Sequence, residues 1–84
     1  MKNELATGRM ILDIADHTLI KRIASAVDEY RTKVDHYPNF AYVHPDHCEQ
    51  PCDIYLNDHC IHIEPNPFMG KQLTWIGLRK EARA

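Results

Sequence analysis

Between residues 35 and 64 the chain holds five of its six histidines (His36, His44, His47, His59, His62) and all three cysteines (Cys48, Cys52, Cys60). The same stretch carries six acidic residues and no Lys or Arg. Neutral imidazoles and thiolates are the ligands of zinc and related transition metals, which gather four of them at about 2.0 to 2.3 Å in a tetrahedron. The order Cys48-x3-Cys52-x7-Cys60-x-His62 differs from the common zinc spacings built on CxxC knuckles and paired histidines. These four residues are the candidate metal set, and zinc is the cofactor they would take. The leading reading is packing with no cofactor, zinc being the alternative, because a free cysteine is among the most buried residue types and behaves as a small apolar side chain.

Two catalytic readings rest on the same stretch. In His44-Pro45-Asp46-His47 a histidine could act as general base with Asp46 orienting it, and Cys48 beside His47 could be a nucleophile. Both conflict with geometry. Neighbours on a turn point in different directions, and an Asp after Pro usually hydrogen-bonds its own local backbone. No glycine-rich phosphate loop or nucleophile elbow accompanies them. The sequence therefore favours a protein that is not an enzyme, with no catalytic residues assigned.

The elements that must position these residues follow from periodicity. Residues 9–14 alternate, with Met10, Leu12 and Ile14 on one side, which suits a short strand, although Ile11 leaves a helical reading open. Over residues 16–34 the apolar side chains of Leu19, Ile20, Ile23, Val27, Tyr30 and Val34 recur at three- and four-residue steps. Lys21, Arg22, Asp28, Glu29, Arg31 and Lys33 fall on the other face, the pattern of an amphipathic helix. Asp16 or Thr18 can cap its start, and Pro38 forces Tyr37 out of helical geometry at its end.

Residues 40–44 form a strand stopped by Pro45, with Phe40, Tyr42 and His44 on one face. Residues 53–56 and 59–64 read as hairpin arms around Asn57-Asp58, two residue types that tolerate positive φ. A two-residue turn sets Leu56 opposite His59, Tyr55 opposite Cys60, Ile54 opposite Ile61 and Asp53 opposite His62. Ile54, Leu56, Ile61 and Ile63 then share the core side, while Asp53, Tyr55, Cys60, His62 and Glu64 share the other. On that second side Asp53 could hold the His62 imidazole in one tautomer. If residues 45–50 form one helical turn, Cys48 and Cys52 come close enough to converge on that same side with Cys60 and His62. After a loop at Pro65, Pro67 and Gly70, residues 72–78 read as a last strand containing Trp75 and Ile76.

The expected fold is one α+β domain spanning residues 1–84: strand, helix, then three or four strands, with one long helix on a mostly antiparallel sheet of about four. One helix covers one face. The other, with Tyr42, Tyr55 and part of the His/Cys set, needs a partner or protected edges, so a homo-oligomer or protein complex is expected.

Composition narrows the function classes. With 44% hydrophobic and 26% charged residues the chain is too apolar for intrinsic disorder, and no 18-residue apolar run suits a membrane span. Glu4, Arg9 and Asp13 interrupt any secretory core near the start, which points to the cytoplasm and reduced thiols. A net charge of −2 argues against nucleic acid. The basic tail (Lys71, Arg79, Lys80, Arg83) could instead meet the acidic centre of a neighbouring molecule.

Tyr37-Pro38, the run Ala41-Tyr42-Val43-His44-Pro45-Asp46 and the run Leu73-Thr74-Trp75-Ile76-Gly77-Leu78 resemble small bacterial and phage-associated domains of unknown function. The resemblance spans about half the chain. It implies a helix paired with a YVHPD strand and a closing aromatic-Ile-Gly strand, in a mobile-element context. It transfers no catalytic residue and does not include the Cys-rich segment from Cys48 to Cys60.

Overall fold

The computed structural model describes residues 4–12 and 18–80. It has the expected α+β layout: β1 (Glu4–Leu12), α1 (Leu19–Lys33), β2 (Phe40–Val43), β3 (Cys52–Leu56), β4 (His59–Pro65) and β5 (Leu73–Lys80). The sheet has five strands in the order β1-β5-β2-β4-β3. All neighbours run antiparallel except β2 and β4, which are parallel. The helix is expected over residues 16–34; Asp16, Asp13 and Ile14 lie outside the described residues.

Thr18 caps α1. Its backbone is extended (φ −60°, ψ 162°) and its hydroxyl accepts from the Lys21 amide at 3.4 Å, satisfying one of the free N–H groups of the first turn. Val34 returns to extended backbone and ends the helix, with Arg31 and Lys33 in the last turn, where cations suit the helix dipole. The helix buries Arg22, Ile23, Ala26, Val27 and Tyr30. Two positions depart from expectation: Arg22 is 2% exposed, whereas Ile20 is 61% exposed. They flank the apolar stripe on opposite sides, so residue type alone assigns them in reverse. The buried sheet residue Thr74 offers Arg22 a polar contact inside the core, Nη1 to Oγ1 at 3.5 Å.

Ile23, Ala26, Val27 and Tyr30 pack against Ile11, Ala41, Val43, Ile61, Ile63 and Ile76. Fully burying each of the isoleucines and valines among them contributes about 1.5–3 kcal/mol. In β1 it is Ile11 that reaches this core. Met10 and Leu12 share one side, as expected, but that side is exposed, at 52% and 64%.

The β3–β4 hairpin has the expected register, from Leu56 opposite His59 to Asp53 opposite His62. Asn57 (φ 50°) and Asp58 (φ 68°) both occupy the left-handed region that a two-residue turn matching the strand twist requires. The link over residues 44–51 sends the chain past the neighbour of β2, so that β3 becomes an edge and β4 takes the place beside β2. Asn39 fastens the other side of β2, accepting from the Arg79 amide at 2.9 Å and donating to the Arg79 carbonyl at 3.4 Å.

Candidate functional site

The pleat divides the His/Cys-rich stretch between the two faces of the sheet. Cys52 pairs with Ile63, a residue of the helix-side core, so Cys52 shares that side. Cys60 pairs with Tyr55, and His62 with Asp53, one step out of phase and therefore on the opposite side. The four expected metal ligands thus form two groups. Cys48 and Cys52 meet, their sulfurs 3.6 Å apart, while Cys60 and His62 lie across the sheet.

A separation of 3.6 Å is near the edge of a tetrahedron with metal–sulfur bonds of about 2.3 Å. The thiol pair would fill two of its vertices. Among the described residues no group of three or more His, Cys, Asp or Glu side chains has the geometry to hold a metal ion. Cys48 is 8% exposed, packs in the core and donates to the Gln50 carbonyl at 2.8 Å. Burial, then the contact with Cys48, pushes the Cys52 thiol up to about 11.

The residues of the two catalytic readings are held locally. The His44 Nδ1 accepts from the Asp46 amide at 3.0 Å, and the His47 Nε2 donates to the Lys71 carbonyl at 2.7 Å. Asp46 pairs with the Lys71 ammonium at 2.8 Å, which lowers its carboxyl pKa. These contacts tie the β2–β3 link to the loop before β5.

On the helix-free face His62 lies between two carboxylates, Nδ1 to Asp53 Oδ1 at 2.8 Å and Nε2 to Glu64 Oε2 at 3.0 Å. The partnership with Asp53 is the one its strand register leads one to expect; the second partner, Glu64, is not. Two donating nitrogens fit an imidazolium, and both hydrogen bonds raise its pKa, Asp53 foremost, against a smaller opposing effect of burial.

The His62 ring stacks on Phe40, with centroids 5.6 Å apart and planes at 29°. Phe40 is 2% exposed although it lies outside the helix-side core. Tyr42 meets it edge-on at 4.9 Å, Trp75 lies at 6.5 Å, and the Arg79 guanidinium sits 4.5 Å from its ring centre. Phe40, Tyr42 and Trp75 thus form a second, aromatic cluster, flanked by exposed Met10 and Leu12 on β1 and by Tyr55, 70% exposed, on β3. Tyr55 shares a hydrogen bond with Cys60, which raises the phenol pKa.

The sequence pattern puts Tyr42 and Tyr55 on this face. It does not foretell that Arg79 caps Phe40, or that Trp75 lies over the Cα of Gly8, where a Cβ would come 1.7 Å from Trp75 Cζ2. A glycine inside a strand was the available signal for that approach. On the helix side, a cleft of about 330 Å³ lies between α1 and the β3–β4 turn. Within it Arg31 lies over the Tyr37 ring at 4.3 Å and Asn57 donates to the Tyr37 hydroxyl at 3.3 Å.

No protein-family model matches this chain, and no curated protein and no solved structure matches it. Among the described residues, no helix is long and apolar enough to cross a membrane.

Proposed function

We propose that this chain is a small non-enzymatic module that works by associating with a second copy of itself through the helix-free face of its sheet. The observation that carries this reading is the aromatic cluster of Phe40, Tyr42 and Trp75, continued outward by the exposed apolar side chains of Met10, Leu12 and Tyr55. An apolar tract without a covering layer is the ordinary mark of an interaction surface.

Charge selects the occupant. Arg79 lies on β5, and Asp53 and Glu64 lie on β3 and β4, so the face is basic on one side of the central strand β2 and acidic on the other. A two-fold axis running along β2 between two stacked sheets places β5 of each copy over β4 of its partner. Arg79 then faces the Asp53–His62–Glu64 group, an isologous and self-complementary arrangement. At about 4.8 Å spacing and 3.3 Å rise per residue, the five strands make a face of roughly 500 Å², small beside the ~800 Å² per partner of a standard interface. The association is therefore expected to be concentration-dependent rather than that of an obligate dimer. With a net charge of −2, the partner is protein rather than nucleic acid, and the thiols fit a cytoplasmic, reducing setting.

Sedimentation velocity over a concentration series tests this. Met10→Glu should shift the protein to monomer, while Ile20→Glu, on the outer side of α1, should leave association unchanged. Equal behaviour of the two variants and the wild type would overturn the reading. The alternative, a zinc module using Cys48, Cys52, Cys60 and His62, requires the core-side thiols and the open-face pair to belong to separate centres, and predicts unfolding on chelation.

A further inference from the structure

We infer that Cys48 and Cys52 form a dithiol site that a low-molecular-weight disulfide such as oxidised glutathione converts into an intramolecular disulfide. The two sulfurs approach to 3.6 Å, with the cysteines four positions apart in a link that carries no regular secondary structure until β3 begins at Cys52. An S–S bond of about 2.05 Å then needs only a side-chain adjustment of roughly 1.5 Å, within reach of χ1 changes in a link without regular secondary structure. Cys60 is excluded because the register places it on the opposite side of the sheet.

The exchange balances in two steps. The thiolate of Cys52, the more exposed of the two, attacks one sulfur of the small disulfide. A protein–small-molecule S–S bond forms, the reagent's S–S bond breaks, and the leaving thiolate takes up a proton. Cys48 then gives up the proton it donates to the Gln50 carbonyl and attacks the Cys52 sulfur. The Cys48–Cys52 bond forms and the second small thiol leaves, so the dithiol is oxidised by two electrons and the reagent is reduced to two thiols. The closed form fixes the start of β3 to the turn that His47 and Asp46 hold against Lys71.

The test is equilibration of the wild-type protein in glutathione buffers of increasing oxidised fraction, quenched with N-ethylmaleimide and read by intact mass and peptide mapping. The expected result is loss of two of the three alkylation sites with loss of two hydrogens, the remaining label on Cys60, and full recovery in reduced glutathione. Cys60→Ser should close in the same way, and Cys52→Ser should give at most a mixed disulfide. Three alkylated thiols at every ratio, or a disulfide that includes Cys60, would overturn the inference.

Discussion

Gly8→Ala is the sharpest test of how the helix-free face is built. In an unobstructed strand, alanine is favoured over glycine by about 0.5–1 kcal/mol, because glycine loses more backbone freedom on folding. Here the new methyl would stand 1.7 Å from Trp75 Cζ2 and 2.4 Å from Cε2 and Cη2. Three atoms of one rigid ring are involved, so a small rotation cannot relieve the clash and the indole must leave the strand surface. That removes its contacts with Phe40 and Tyr42, whose ring centres lie 6.5 and 6.2 Å from its own. Overpacking of this kind costs about 1–3 kcal/mol and exceeds the entropic gain, so the variant should be less stable by a net ~1–2 kcal/mol. Urea denaturation followed by circular dichroism gives the stability, and fluorescence of the single tryptophan reports its movement into water. A cycle with Trp75→Leu should show the Gly8→Ala cost largely gone, since residues in contact couple by about 0.5–3 kcal/mol. A Gly8→Ala protein as stable as the wild type, with unchanged emission, would refute the packing.

Other expectations concern the hairpin and its histidine. The folded-state pKa of His62 lies above its unfolded value of 6.5, so its stabilising contribution is fully present below pH 6.5 and is lost as pH rises through the folded pKa. Urea midpoints measured from pH 5.5 to 8.5 should fall with pH in the wild type more than in His62→Gln; parallel curves would contradict the carboxylate clamp. Asp58→Gly should stabilise the hairpin by up to about 1 kcal/mol, because glycine adopts the φ of 68° at no steric cost, and thermal melting should register an increase. A lower melting temperature would mean that Asp58 makes a contact the turn geometry does not require.

Much of this fold is legible in the residues, and the reasons are local. The helix follows from three- and four-residue apolar spacing with Thr18 and Pro38 near its ends, and the hairpin from Asn57-Asp58. Because side chains alternate with period two, that turn places Cys60 and His62 on one face, whereas Cys52, expected to converge there, lies on the other. What the sequence hides is long-range. The parallel pairing of β2 with β4 depends on how the residue 44–51 link crosses the sheet, which no local pattern encodes. The buried Arg22 meets Thr74, 52 residues away, a contact that no local pattern encodes. The metal set of Cys48, Cys52, Cys60 and His62 groups residues close in sequence, whereas the strand pleat separates them. The His62–Asp53 contact was foreseeable from register, but Arg79 over Phe40 needs the β5–β2 pairing to be known first.

The central claim is that the helix-free face binds a second copy of the chain without a metal. Native mass spectrometry of protein purified without a metal-affinity step, before and after a strong chelator and at rising concentration, addresses it directly. The expected result is a metal-free dimer that grows with concentration, survives chelation and is absent in Met10→Glu. A monomer at every concentration, or a species that carries zinc and loses its folded charge states when the zinc is removed, would contradict the account.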